Sequence, residues 1–379
     1  MSRYLLPIER EQAGIINAFG RTLAEDLATD NPVPPCDTAA CGGYAVIASD
    51  TQGASRHTPK SLSILSTSAP HGKQLETCTV MRVAAGDPLP EGADAIVDVT
   101  ETYRPDHGPE VLVFTEVKAG HGVIPAGSVT QSGEILLRQG TVIGAVQMEI
   151  VASLGRPGVP VRRKPRVAIV TTGARVVDVV EQMSPGETRN APRYGLVGLL
   201  LDSGCDLGRL IHVRDGRMGV ERAVKDCSGC DAVVLAVGSQ DKHDAVLEAL
   251  SNIGERTFDR VQMDPGGGCA FGMAFDRPVF VLDSHAVIET FEAIIRPGLM
   301  MMLGRESIHR MRVVATLGST LKPRPGYAHY IRACTTIEGD ACIAKPATGR
   351  SADVNSLVVL PDDVEIAKRG ESVEVILLN

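Results

Sequence analysis

The sequence predicts a multidomain α/β protein: a doubly wound parallel-sheet domain, an inserted β-rich domain and a C-terminal small β-barrel. Three observations carry that expectation. First, short apolar runs end on small or polar residues: Arg166 to Gly173 through Thr171 and Thr172, Asp231 to Val237 before Gly238-Ser239-Gln240, and Val279 to Leu282 before Asp283-Ser284-His285. Continuous runs of this length suit strands buried on both faces of a parallel sheet. Second, helical patterns separate them, at Tyr194 to Ser203, Met218 to Lys225, Asp244 to Ile253 and Ala286 to Leu303. Third, only strand patterns follow Gly304: 311 to 317, 330 to 337, 341 to 345, 357 to 360 and 373 to 378, separated by turn residues, as a small barrel or sandwich requires.

Taken in order, residues 1 to about 30 read as helical, with Ile15, Ile16, Ala18, Phe19 and Leu23 at helical spacing, until Asn31-Pro32-Val33-Pro34-Pro35 breaks the pattern. From Cys36 to Glu116 short β-like runs alternate with turns, at 44–47, 79–83, 95–97 and 111–114, with a rigid loop at Gly86-Asp87-Pro88-Leu89-Pro90-Glu91-Gly92. A helix with a glycine stop is expected from Ala145 to Gly155, and the basic cluster Arg162-Arg163-Lys164-Arg166 reads as a solvated linker. The expected division is a split region at 1–30 and 117–163, the inserted domain at 31–116, the α/β domain at 164–305 and the barrel at 306–379. Asn190 with Pro192 reads as the cap and first turn of a helix.

Composition narrows the function. A net charge of −8 argues against a nucleic-acid partner, which needs a basic face. With no Trp and 3% aromatic residues, few platforms exist for stacking a planar ligand. Nine scattered cysteines, an odd number, do not form a secreted disulfide framework. No apolar run is long enough to span a membrane, and the amino end lacks a signal core, so the protein reads as cytoplasmic.

In doubly wound sheets ligands bind beyond the carboxyl ends of the strands, so Thr171, Thr172, Gly173, Gly238, Ser239 and Ser284 should share one crevice. Gly266-Gly267-Gly268 after Pro265 is a candidate backbone cradle for a phosphate, with a plain turn as the alternative. Asp241, His243, Asp244, Asp264, Asp283 and His285 fall near the same strand ends. A metal cluster is one reading, and helix capping by Asp244 and Ser284 is the plainer one, so no metal ligand is assigned. Cys227-Ser228-Gly229-Cys230 has Cys-x-x-Cys spacing but no second pair, and reads as thiols in a tight turn. Arg189, Arg193 and Arg332 are candidate anion partners or solvated surface groups.

The order of pieces resembles the MoeA family, molybdopterin molybdotransferases related to the E domain of gephyrin. The resemblance spans essentially the whole chain. It rests on Phe19-Gly20-Arg21-Thr22-Leu23-Ala24, Gly43-Tyr44-Ala45-Val46, Arg82-Val83 with Gly86 to Val97, Ile150 to Gly155, Arg166 to Gly173, Pro265-Gly266 with Ala270-Phe271-Gly272, and Pro325-Gly326. It implies molybdenum cofactor biosynthesis and a crevice holding molybdopterin or its adenylylated form, with Asp244 and Pro265 added to the residues above. It also implies a homodimer, whose crevice joins the α/β domain of one chain to the inserted domain of the other, and contacts with pterin-cofactor enzymes or biosynthesis proteins.

The family's acids and phosphate loops are replaced here. Gly42, Ala85, Val129, Ala174 and Arg175 stand where the resemblance implies Asp, Thr, Asp, Asp and Glu. Its two lysines correspond to Asp264 and Gly267, and its Leu-Pro-Gly-Asn-Pro segment reads Leu282-Asp283-Ser284-His285-Ala286. Without those carboxylates a Mg²⁺ site is not expected. The resemblance therefore implies a diverged member with altered or reduced catalysis, or a non-catalytic scaffold that kept the fold and the dimer. No catalytic residue is assigned.

Overall fold

The computed structural model describes residues 1–65, 74–105, 108–214, 216–238, 243–339, 341–347, 349 and 351–378. It divides into two units, Met1–Glu25 with Gln139–Asn379, and Asp26–Arg138.

The first unit is built on a six-stranded sheet of β1 (Arg166–Thr172), β2 (Asp206–Val213), β3 (Ala232–Val237), β4 (Gly254–Phe258), β5 (Ala270–Ala274) and β6 (Arg277–Asp283). Its order is β2-β1-β3-β6-β5-β4. The first four strands are parallel, as expected. The last two close one edge as an antiparallel hairpin that the apolar-run pattern had not marked. The edge strand β2 carries no such run either, since Gly208, Arg209 and His212 interrupt its apolar residues.

Successive side chains of a strand face opposite sides, and both sides of this sheet are covered. Val167, Ile169 and Val234 pack with Leu196 and Leu200 of α1 (Ala191–Asp202) and with Phe291 and Ile295. Ala168, Val170, Val233 and Leu235 pack with Val220 and Val224 of α2 (Gly216–Asp226) and Val246 and Leu250 of α3 (His243–Ile253). Each fully buried aliphatic side chain stabilises the fold by about 1.5–3 kcal/mol, which is why the runs are apolar at every position. The helix α4 runs from Val287–Thr290 through a π turn at Phe291–Ile295 to Arg296–Met302.

The carboxyl-terminal strands close into a ring. Ala328–Glu338 pairs with Ala341–Pro346 and Ser356–Leu360, and Arg312–Leu317 with Ala341–Pro346 and Ser372–Leu377, which returns to Ser356–Leu360. The expected small barrel is present, with Val358, Leu360 and Val375 inside. Met263–Asp264 adds to Ala328–His329 and thereby ties the Gly266–Gly268 loop to it.

The amino-terminal segment is not the expected helix. Arg10–Gly14 is a strand paired with Gly158–Arg162, and only single 3₁₀ turns form at Ser2–Tyr4 and Ile15–Ala18. Ile16 and Phe19 are 81% and 63% exposed, so the apparent helical face has no core to bury against. Nor is the basic cluster a solvated linker. Arg163 donates bidentately to Asp231 at 2.9 and 2.7 Å and also to Glu9, while Arg162 Nη1 donates to the Ile8 carbonyl.

The second unit is β-rich. Its sheet runs in the order Ala95–Asp98, Gly43–Val46, Thr79–Val83, Lys60–Ile64, Glu110–Val113, Thr102–Tyr103, over a core of Tyr44, Leu62, Val80 and Val111. Val123–Ile124 and Ile135–Leu137 pair back onto Thr38–Ala39 and Leu27–Ala28.

Candidate functional site

The carboxyl ends of β1, β3 and β6 meet at a cavity of about 230 Å³ lined by Thr171, Thr172, Asn190, Gly238, Ser284 and His285. An adjoining cavity of about 440 Å³ shares Ser284 and His285 and reaches Arg332 on the barrel. Thus the structure brings together Thr171, Thr172, Gly238 and Ser284. Ser239 and Asp241 lie outside the described residues.

A hydrogen-bonded chain shapes this floor. Asn190 Nδ2 donates to Thr171 Oγ1 at 2.8 Å, and Thr171 Oγ1 lies 3.0 Å from His212 Nδ1. His212 Nε2 is 3.1 Å from the Gly173 carbonyl. A carbonyl only accepts, so Nε2 carries the proton and Nδ1 accepts from the threonine hydroxyl. Burial holds the His212 imidazole below its usual value, with Arg193 and Arg214 acting the same way. Thr172 Oγ1 accepts from the Gly238 amide at 3.2 Å. Gly173 has φ +147°, and a Cβ there would lie 2.6 Å from Val176 Cγ2, so the turn leaving β1 requires glycine. Asn190 does sit at the N-cap of α1, just before Ala191, but its side chain makes no capping bond and goes to Thr171 instead.

The glycine loop is occupied from within. Gly268 N donates to Asp283 Oδ2 at 3.1 Å, so the protein's own carboxylate sits where an anionic ligand would meet that donor. A Cβ on Gly266 would fall 2.4 Å from Thr290 Oγ1, and one on Gly268 2.6 Å from Asp283 Oδ2. Both glycines are therefore explained by close packing. Pro265 follows a cis bond from Asp264.

The arginines that line the two cavities are already engaged. Arg189 Nη1 donates to the carbonyls of Asp178 and Glu181. Arg332 donates through Nε and Nη2 to both oxygens of Glu289, at 2.7 and 3.1 Å, and Glu289 is 4% exposed. Nearby, Arg193 pairs with Asp178, whose carboxyl is held below its usual range by the Tyr194 hydroxyl donating at 2.7 Å. Arg193 and Arg332 are thus partly buried and paired, whereas Arg189 stays exposed while its guanidinium holds the two carbonyls.

Several expected residues fall elsewhere. Asp244 lies in the first turn of α3 with its side chain 84% exposed, 3.6 Å from Arg260, and lines a different shallow hollow. It neither caps the helix nor faces the crevice, because the second helical position points it outward. Ser284 does not cap α4 either, since that helix starts from Ala286. The histidines and carboxylates form two separate pairs, His243 with Asp283 and His329 with Asp264, each at 3.9 Å. Among the described residues no group of three or more His, Cys, Asp or Glu is placed to hold a metal ion. Cys227 is buried, donates to the Ala223 carbonyl and has its thiol pushed up to about 11 by burial, the opposite of what a redox thiolate needs.

Glu289 and His212 were not legible beforehand. Glu289 sat in a helical pattern like any exposed acid, and His212 in a strand that no run announced.

Comparison with known proteins places this geometry. Residues 2–155 match the model of the MoeA N-terminal region (domain I and II), and residues 168–301 that of a probable molybdopterin binding domain. The chain is similar to a protein of Bacillus subtilis named molybdopterin molybdenumtransferase, with 27% identity covering 98% of this chain and 90% of that one. It is similar to molybdopterin molybdenumtransferase 1 of Mycobacterium tuberculosis, with 29% identity over 97% and 94%. The solved molybdopterin biosynthesis MoeA protein of Pyrococcus horikoshii aligns with a TM-score of 0.87 at 26% identity, covering 100% of this chain and 96% of that one.

Proposed function

This chain belongs to the MoeA family of molybdenum cofactor biosynthesis, and from that membership we propose that it is a cytoplasmic molybdopterin-handling protein with reduced catalysis. One observation carries the reading. The crevice keeps its floor of Thr171, Thr172, Asn190 and Gly238, while the charges around it are neutralised from inside the protein. Asp283 takes the Gly268 amide, and Glu289 takes the bidentate edge of Arg332. Molybdopterin carries one phosphate of its own, and the Thr172 and Ser284 hydroxyls that line the crevice are the donors left for it. The adenylylated form adds a second phosphate, which raises the repulsion from Asp283 and Asp264, and Arg189 and Arg332, the described arginines along the crevice, are already engaged. Among the described residues no group of three or more His, Cys, Asp or Glu is placed to hold Mg²⁺. The occupied glycine loop also favours a second reading, a non-catalytic scaffold that retains the family fold.

Titration of the full chain with molybdopterin and with its adenylylated form separates the two. We expect measurable binding of molybdopterin, weaker binding of the adenylylated form, and no Mg²⁺-dependent molybdate insertion at rates like those of the Bacillus subtilis relative. Asp264→Lys should strengthen binding of the adenylylated form about tenfold, because a charge-assisted contact is worth ~1.5–3 kcal/mol. It is preferred to Gly267→Lys, whose Cβ would lie 3.1 Å from the Met263 carbonyl. Normal insertion rates would overturn the reduced-catalysis reading. Binding of neither form would hand the lead to the scaffold.

A further inference from the structure

At the far end of α4 from the crevice lies a larger cavity of about 790 Å³, lined by Arg296, Arg305, Glu306, Ser307, His309 and Arg310. Along this helical run Ile288, on the crevice side, and Arg296, on this cavity, are eight residues and about 12 Å apart at 1.5 Å per residue.

The cations here are under-satisfied. Glu292, 6% exposed, is shared by two arginines. Arg310 takes it at 2.9 and 3.2 Å, leaving Arg296 Nε at 3.8 Å. Arg296 Nε is buried with no hydrogen-bond partner, and its Nη1 has only a 3.5 Å contact with the Ile308 carbonyl. Arg305 Nε has a 3.4 Å contact with Thr22 Oγ1 and no carboxylate within ion-pair distance among the described residues. Burial holds both Arg296 and Arg305 below the usual arginine range, and repulsion from Arg310 and Arg305 adds to this at Arg296. Two guanidinium groups thus share one buried carboxylate, and beside them Arg305 has none of its own among the described residues. The other acids are screened by water: Asp202, on Arg310, is 56% exposed, and Glu306 lies exposed at the rim.

Packing alone does not call for this arrangement. An arginine placed only as a tie between segments makes close bonds, as Arg163 does with Asp231 at 2.7 Å. Arg296 and Arg305 instead carry donors with long contacts or none, beside open volume and the Ser307 hydroxyl. Guanidinium groups match the oxygens of phosphate geometrically.

We propose that this cavity is a binding site for a phosphate group, held by Arg296, Arg305 and the outward edge of Arg310. It is distinct from the crevice and does not depend on the function proposed for it. The group can arrive as inorganic phosphate or as a small phosphate monoester, and the volume accommodates either.

The test is calorimetric titration of the full chain with inorganic phosphate and, separately, with glycerol phosphate, at ionic strength matched with chloride. We expect saturable one-to-one binding of at least one probe, weakened about tenfold or more in Arg305→Gln, a loss of one charge-assisted contact. Arg305→Gln removes no carboxylate pair, so its melting temperature without phosphate should match the parent. If it does not fold, Arg296→Gln serves, because Glu292 keeps Arg310. Arg332→Gln, in the crevice, should leave the affinity unchanged. Tighter binding of glycerol phosphate would assign the site to monoesters, and tighter inorganic phosphate to the free ion. No saturation by either probe, equal affinity in Arg305→Gln, or loss confined to Arg332→Gln would overturn the proposal.

Discussion

At Thr171 one hydroxyl accepts from the Asn190 amide and donates to His212, and the imidazole passes the constraint on to the Gly173 carbonyl. That order of donors holds only while His212 is neutral. A protonated ring would present a second N–H to the threonine oxygen, whose own proton would be left with the Ile211 carbonyl at 3.5 Å. Because the folded-state pKa is lowered from 6.5, the associated stability is fully present above that value and is lost as pH falls through the lowered one. His212→Asn should therefore flatten the fall in melting temperature between neutral and mildly acidic pH. Parallel curves for parent and variant would show that the pH dependence lies elsewhere.

Among the elements, β1 and β3 are held at their amino ends by Asp231, just as their carboxyl ends make the crevice. Asp231 accepts from both Arg163 terminal nitrogens and, at 2.6 Å, from the Arg166 amide, while Arg163 also reaches Glu9. Both side chains are partly exposed, at 30% for Arg163 and 23% for Asp231, so solvent screens part of the attraction. Asp231→Ala should cost about 2 kcal/mol in denaturant unfolding of the full chain, roughly one charge-assisted bond. Arg163→Ala should cost a similar amount, and the double variant little more than either alone, since the two lose the same interaction. Full additivity would mean the pair is not coupled. A run of basic residues in a sequence looks solvated until strands bring an acid from sixty-eight residues away beside it.

For the whole molecule, we propose the homodimer that the family resemblance implies. Light scattering at micromolar concentration should return twice the chain mass of 40.1 kDa. A monomer at that concentration would remove the shared crevice from the argument, though not the floor built by β1, β3 and β6. The sequence by itself determined which stretches become β1, β3 and β6, because strands buried on both faces must be apolar at every position, and it marked the barrel strands by short runs between turn residues. It also determined that their polar ends at Thr171-Thr172, Gly238 and Ser284 would converge, because parallel strands share one direction. What only the tertiary structure decided was pairing. The exposed edge strand β2 and the β4–β5 hairpin owe their form to neighbours, as does the amino-terminal strand that resembled a helix. So do the two carboxylates that set the character of the crevice. Asp283 and Glu289 are ordinary acids along the chain, and only folding brings Gly268 and Arg332 within hydrogen-bond distance of them. Electrostatic interaction falls with separation in space, to which separation along the chain is no guide.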